Sequence, residues 1–350
     1  MSENGMRYAK LGGTDLVVSA ICLGCMGFGD STRGQHSWTV DENASRAIVR
    51  SALDAGINFF DTAIAYQSGT SEQFLGRALR DFARRDEVVV ATKFLPRTDE
   101  EIATGIDGRA HVGRMLDASL RNLGMDHVDL YIYHLWDYRT PLREIMQGLA
   151  DAVAQGKTRH VGISNCFAWQ LAQANALADA EGFPRFASMQ GHYNLLFREE
   201  EREMIPLCRQ EGIALTPYSP LAGGRLSKLP GEESKRLRED AYARQKYDGA
   251  AALDRPVIER VAQLASDRGV SMAQMALAWL MAKGAVPVMG ATKVRHVEDA
   301  ARAVGLRLAP DEIAYLEEPY LPHALVGVMA QNVPDSAGEE HVWSIGDQRI

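Results

Sequence analysis

Residues 58–66 read NFFDTAIAY. The two phenylalanines extend an apolar run that begins at Ile57, and the run stops on Asp61. Consecutive apolar residues without alternation suit a strand buried on both faces, as in a parallel sheet covered by helices. Such a strand presents its final carboxylate at its C-terminal end. The same event recurs twice: VVVATK (88–93) stops on Lys93, and VDLYIYH (128–134) stops on His134. With INFF (57–60), the further runs ICLG (21–24), HVGI (160–163), FASMQ (186–190), IALTPY (213–218) and VPVMG (286–290) complete a set of eight.

Segments with helical spacing separate these runs. Within 41–56, Ala44, Ile48, Ala52 and Leu53 fall on one face before Gly56. Within 109–124, Val112, Met115, Leu116, Ser119, Leu120 and Leu123 do the same before Gly124, and 142–157 repeats the pattern. Strand, helix, glycine and strand in eightfold repetition predict an α/β fold, a closed (β/α)₈ TIM barrel. It is read as one domain with its core over 6–325. An open doubly wound sheet is the alternative, and the lack of a G-x-G-x-x-G after the early strands counts against it. Ahead of the first strand, MRYAKLGGTDLVVSAI (6–21) reads as a β-hairpin around Gly12-Gly13 that plugs the barrel bottom. Between strands seven and eight, residues 221–254 are polar and too long for a plain connection, so a lid or binding loop is expected. The tail, 326–350, is mixed in composition and expected to be partly mobile.

The 46% apolar and 24% charged composition is that of a globular protein. The net charge of -8 disfavours a nucleic-acid partner. There is no apolar run of membrane length and no signal-like N-terminus, so no membrane partner and a cytoplasmic location are expected. Four cysteines make no disulfide scaffold. CLGC (22–25) lacks the second ligand pair that a metal site needs, so no metal is expected. Oligomeric state is not specified.

Residues just past the C-terminal ends of barrel strands face the functional mouth. Asp61, Lys93 and His134 therefore converge, with Tyr66 in the loop beyond Asp61. Singly, each has an ordinary reading: turn residue, solvated cation, core histidine, packing aromatic. Those readings do not explain their arrival together at one end of one sheet. A phenol of pKa about 10 is a poor acid at neutral pH, and a neighbouring ammonium is expected to lower that value. A carboxylate keeps the ammonium charged, and an imidazole orients a carbonyl oxygen. The set is a general acid suited to an oxyanion forming from a C=O group. None of the four carries electrons, so a redox cofactor is required.

GINFFDTAIAY (56–66), YIYHLWD (131–137), GKTRHVGISN (156–165) and TPYSPLAGGRL (216–226) stand in this order along the chain. Together they resemble the aldo-keto reductases, a family of barrels that reduce carbonyls with a nicotinamide cofactor. SMQGHYNLLFREEEREMIPLC (188–208) and EPYLPHALVG (318–327) are similar to the bacterial general-reductase branch called YajO-like. The resemblance implies Tyr66 as proton donor, Lys93 as its partner, Asp61 paired with Lys93, and His134 orienting the substrate carbonyl. It implies Ser164, Asn165 and Gln190 around the nicotinamide carboxamide, and Tyr218 stacked on the ring. Ser219, Pro220, Leu221 and Gly223 match a loop along the pyrophosphate, and Arg236 is a candidate to close over it. In GATKVRHVEDA (290–300), Gly290, Thr292, Lys293, His296 and Asp299 are carried over to the adenosine end, with Lys293, Arg295 and His296 supplying charge for a 2′-phosphate. NADPH (NADP+) is therefore expected over NADH. Two departures stand out: Ala300 where relatives often have Asn, and Gln67 where many have Gly. Met26, Trp38, Trp136 and Tyr193 are candidate walls of a pocket for an aldehyde or ketone. The rival reading is a cofactor-sensing regulatory subunit of low turnover. A metal-dependent hydrolase would need a His-x-His after strand one, where ICLGCMGFG has none.

Overall fold

The computed structural model describes residues 5–232 and 235–333, without the side chains of Lys235 and Arg236, and the backbone of 344–345 and 348–349. A hairpin opens the chain: β1 (Tyr8–Lys10) pairs antiparallel with β2 (Val17–Ser19). Eight parallel strands follow: β3 (Cys22–Gly24), β4 (Phe59–Asp61), β5 (Val89–Phe94), β6 (Val128–Tyr133), β7 (Thr158–Ser164), β8 (Phe186–Gln190), β9 (Ala214–Leu215) and β10 (Val288–Gly290). They neighbour one another in chain order, and β10 returns to lie beside β3. Two backbone bonds of 2.9 Å close the ring, from Val286 N–H to the Leu215 carbonyl and from Val288 N–H to the Pro217 carbonyl. β9 is shorter than the apolar run 213–218 predicts, because Pro217 has no N–H for the ladder.

The helices between strands are α1 (Glu42–Asp54), α2 (Thr70–Phe82), α3 (Asp99–Ala103), α4 (Gly108–Leu123), α5 (Leu142–Ala154), α6 (Ala168–Glu181) and α7 (Met204–Glu211). Their ends follow local chemistry. The Asp41 and Asp107 carboxylates accept from the N–H groups of Ala44 and Ala110, capping α1 and α4. α4 stops at Gly124, whose φ of 65° is the left-handed stop that glycine adopts without penalty.

The barrel strands are apolar on both faces, which is why their runs do not alternate. Phe60, Val90, Tyr131 and Tyr133 pack outward against Leu75, Val112, Leu116 and Leu149 of the helices. Phe59, Ala91, Leu130 and Ile132 face inward and meet Leu11, Leu16 and Val18 of the hairpin. The hairpin therefore plugs the bottom. Its turn is pressed so closely that a Cβ on Gly12 would come within 2.7 Å of the Gly212 carbonyl oxygen.

The excursion at 221–254 is largely helical. A tight turn (Ala222–Ser227) leads to α8 (Lys235–Glu239), α9 (Ala241–Tyr247) and the start of α10 (Ala251–Asp267). Arg236 falls in α8, and its side chain lies outside the described residues. α11 (Met272–Ala282), α12 (Val294–Ala303) and α13 (Pro310–Glu317) complete the shell. The described part of the tail, 326–333, is anchored, and the expected partial mobility concerns a tail whose remainder lies largely outside the described residues. Val328 packs against Leu135 and Leu95, and the buried Asn332 bonds Tyr138, Gln170 and the Asn165 carbonyl. Among the described residues no helix is long and apolar enough to cross a membrane.

Candidate active site

β4, β5 and β6 end at the same mouth, and the register places Asp61 opposite Ala91 and Lys93 opposite Ile132. Lys93 Nζ donates to Asp61 Oδ1 at 2.6 Å, to the Thr62 carbonyl at 2.8 Å and to the Tyr66 hydroxyl at 3.1 Å. All three acceptors of the ammonium thus come from the β4 end and its loop. Lys93 is fully buried and Asp61 nearly so. A buried cation survives when it is paired and fully hydrogen-bonded, as here. The His134 ring stands edge-on to Tyr66, 6.0 Å between centroids.

The protonation states follow from burial and charge. Burial by itself would lower the Lys93 ammonium, but Asp61 and then Tyr66 overcome it and hold the group above its ordinary value. For Tyr66, burial is the largest influence and pushes the phenol up, with Lys93 pulling the other way. The net direction is upward, so the expectation that Lys93 lowers the phenol below its ordinary value is corrected for the protein without ligand. Burial, then Lys93, pushes His134 well below the usual histidine range, so it is neutral at physiological pH. The constellation is one proton-bearing phenol, one fixed ammonium and one neutral imidazole. The CLGC thiols are both free and buried, and burial pushes both well up.

A second group adjoins the first. Gln190 Nε2 donates to Asp61 Oδ2 at 3.0 Å, and Ser164 Oγ donates to the Gln190 carbonyl at 2.8 Å. Asn165 Nδ2 reaches the His134 carbonyl, and its Oδ1 accepts from the Tyr218 hydroxyl, each at 2.9 Å. Ser164, Asn165, Gln190 and Tyr218 thus form one network with the tetrad, bringing together residues from six strand ends.

The next loop has the shape of an anion cradle. Ser219, Ala222, Gly223 and Gly224 have φ values of 57°, 48°, 65° and 106°. Backbone that alternates into the left-handed region turns successive N–H groups to one side, a nest for phosphate-like oxygens. Across the barrel, Lys293 and Arg295 are exposed at the N-terminus of α12, where backbone N–H groups and the helix dipole favour anions. Neither cation enters a salt bridge among the described residues. An amide network beside an aromatic platform, a backbone nest and a cationic helix start fit a dinucleotide.

Other expected positions are placed differently. Both Asp299 oxygens accept from the start of α11, from Ser271 Oγ and Gln274 Nε2 at 2.6 Å each, so Asp299 braces the Ser271 cap of that helix. Tyr193 turns away from the mouth. It packs on Trp279 and donates to Glu201 within the helical layer. Trp136 is buried against Tyr133 in the outer core. Trp38 lies against Gly27 and near Thr292, on the side of the cationic helix start. Met26 is half-buried just past β3. His296 Nδ1 accepts from Thr292 N–H at 3.4 Å.

Two contributions were not legible as roles. Gln67, beside Tyr66, has φ 48°, the left-handed region in which glycine is the easy residue. Its amide compensates by stapling the loop after β3. Nε2 donates to the carbonyls of Asp30, Arg33 and His36, and Oε1 accepts from the N–H groups of Gln35 and His36. Tyr247 of α9 joins His192, Asn194 and Ser219 through its hydroxyl, at 2.7, 3.2 and 3.0 Å. Gln67 left the trace of an unusual residue after the tyrosine. Tyr247 left none.

The Aldo/keto reductase family model matches residues 20–320. Versiconal hemiacetal acetate reductase of Aspergillus parasiticus is 36% identical, over 91% of this chain and 98% of its own. The aldo-keto reductase AMT2 of Alternaria alternata is 36% identical, over 89% and 91%. The crystal structure of the thermostable aldo-keto reductase Tm1743, in complex with the inhibitor epalrestat, superposes with a TM-score of 0.72 at 26% identity, covering 90% of this chain and all of that one. These relatives agree with a barrel whose strand ends assemble a phenol, an ammonium, a carboxylate and an imidazole: the chain belongs to the aldo/keto reductase family and is a nicotinamide-dependent oxidoreductase of carbonyl compounds.

Proposed function

We propose that the protein reduces aldehydes or ketones to alcohols with NADPH, and that Tyr66 is the general acid. The observation that carries this reading is the Tyr66 hydroxyl 3.1 Å from a buried Lys93 ammonium that is itself 2.6 Å from Asp61. Reduced nicotinamide, when bound, supplies the hydride. The residues of this chain do the rest. Neutral His134 and the Tyr66 hydroxyl hold the carbonyl oxygen at the mouth. As negative charge grows on that oxygen, Tyr66 gives up its proton. The resulting phenolate is stabilised by Lys93, which Asp61 keeps charged and aimed. Burial, which pushes the phenol up, keeps it protonated until a substrate arrives.

Lys293 and Arg295 support NADPH over NADH, because a 2′-phosphate meets a helix N-terminus with two uncommitted cations. The fungal relatives carry no argument for the YajO-like branch. Tyr66→Phe keeps the fold and cofactor affinity but loses about 10²–10⁴-fold in turnover. Fluorescence titration with NADPH and a panel of aldehydes and ketones measure the two. A Tyr66→Phe variant that turns over normally overturns the assignment. A wild-type chain that binds NADPH but reduces nothing on the panel favours the sensing-subunit reading.

A further inference from the structure

Lys246 is the penultimate residue of α9 and is only 6% exposed. No carboxylate among the described residues forms a salt bridge with it. Its Nζ stands 4.6 Å from the centroid of the Tyr218 ring and 5.7 Å from that of Tyr247. The rings attract the ammonium through their electron-rich faces, which offsets part of its lost hydration. The groups around it are few. α9 itself contributes Tyr242, Tyr247 and Asp240, and the Asp240 carboxylate already caps the helix by accepting from Ala243 N–H. Tyr218 faces it from the loop after β9. His192, in the loop after β8, is held well below the usual histidine range by burial and then by the Lys246 charge. Arg225 also lies over Tyr247, its guanidinium carbon 5.0 Å from that ring. The tail turn brings Gly327, where a Cβ would lie 3.6 Å from Lys246 Cδ.

The position of this cation matters. α9 lies on the nest at 219–224: Tyr247 bonds Ser219, and a Cβ on Gly223 would stand 3.0 Å from Ala243 Cβ. Tyr218 is also the aromatic platform bonded to Asn165. A buried ammonium with no salt-bridge partner among the described residues, beside an anion cradle and an aromatic ring, has the chemistry of a site that receives its partner from outside.

We infer that Lys246 is an anion-binding residue of the mouth, meeting either the diphosphate of the dinucleotide or an acid group on the carbonyl substrate. This rests on the reductase reading for the identity of the ligand, and on the geometry alone for the anion. Burial pushes the ammonium down to about 7, with Asp240 opposing. Near neutral pH the empty site is therefore partly uncharged, and an arriving anion draws a proton onto Lys246. Occupancy by the anion takes up a proton above pH 7, and affinity falls as pH rises through that range.

The test compares wild type with Lys246→Met and Lys246→Arg. NADPH and inorganic pyrophosphate are titrated separately by fluorescence, and by calorimetry at about pH 8 in two buffers of different ionisation enthalpy. KM is then measured for benzaldehyde and for 4-carboxybenzaldehyde at saturating NADPH. Wild type takes up a fraction of a proton when the anion binds. Lys246→Met abolishes the uptake and weakens the anion by about 10–100-fold, the worth of a charge-assisted contact. Lys246→Arg retains affinity without uptake, because guanidinium stays charged. Weakened NADPH and pyrophosphate identify the diphosphate as the anion. A raised KM for the carboxylated aldehyde alone identifies the substrate. Loss of pyrophosphate binding in Lys246→Met supports the site even if NADPH proves not to be the cofactor. Unchanged affinities, proton uptake and KM values in Lys246→Met overturn it.

Discussion

At the floor of the barrel, Phe59, Ala91 and Ile132 point inward and meet Leu16 and Val18 of the hairpin. Two residues further along the same three strands, on the same inward face, stand Asp61, Lys93 and His134. One strand repeat, about 6–7 Å, separates a dry apolar plug from a cluster of buried ionisable groups. The floor is an apolar cluster whose side chains fill volume. The mouth needs every charge answered, and Lys93 has three acceptors to show for it. The two layers also cooperate: with water excluded from below, the attraction between Lys93 and Asp61 acts through a poorly polarisable medium and is stronger than at a surface.

The sharpest way to break this contrast is to put a floor residue into the mouth. Lys93→Met strands the Asp61 carboxylate. Turnover is expected to fall by about 10²–10⁴-fold. Stability in urea is expected to fall by about 3–5 kcal/mol. Adding Asp61→Leu returns most of the stability and none of the turnover. A double variant as unstable as the single one would show that charge pairing is not what holds this layer.

The converse change empties the floor. Leu130→Ala is expected to cost about 2–5 kcal/mol of unfolding free energy through the cavity it leaves. Turnover per folded molecule stays as it was, measured below the new melting range. A parallel collapse of turnover would mean the two layers are one unit.

A smaller effect is expected at Gln67→Ala, which removes the staple of the 30–36 loop and keeps the strained backbone. Stability drops by about 1–3 kcal/mol. KM rises more than kcat falls, and limited proteolysis opens the loop. An unchanged proteolysis pattern would separate the loop from its staple. The smallest effect is a flat profile. Because burial lowers His134, it gains a proton only well below the ordinary range, so kcat at saturating cofactor shows no acidic limb near pH 6.5. Because burial raises Tyr66, the alkaline limb lies above about pH 10. An acidic limb at 6.5 that disappears in His134→Gln would show that the imidazole is charged in the working enzyme.

The parts of the site carried by strands were legible because strand geometry is periodic. Once Phe59 faces inward, Asp61 does too, and the same holds for Lys93 and His134. The parts carried by loops were not. Trp136 and Tyr193 stand three residues past β6 and β8, where His134 stands one past β6, and both turn into the helical layer, since an irregular segment has no period from which a face can be counted. Asp299 read as a ligand of adenosine because nothing in its neighbours reveals that Ser271 and Gln274, over twenty residues away, need both its oxygens.

The amino-acid sequence by itself determined the eightfold alternation, the apolar plug, and the identity and order of the four residues at the mouth, all of which follow from local periodicity. Tertiary structure alone decided that the phenol is held up rather than lowered, that Gln67 staples a loop, that the tail grips Asn165, and that Lys246 is buried against two rings with no salt bridge among the described residues. The physical reason is the same in each case: burial and hydrogen-bond partnership are set by groups distant along the chain, and only packing brings them within reach.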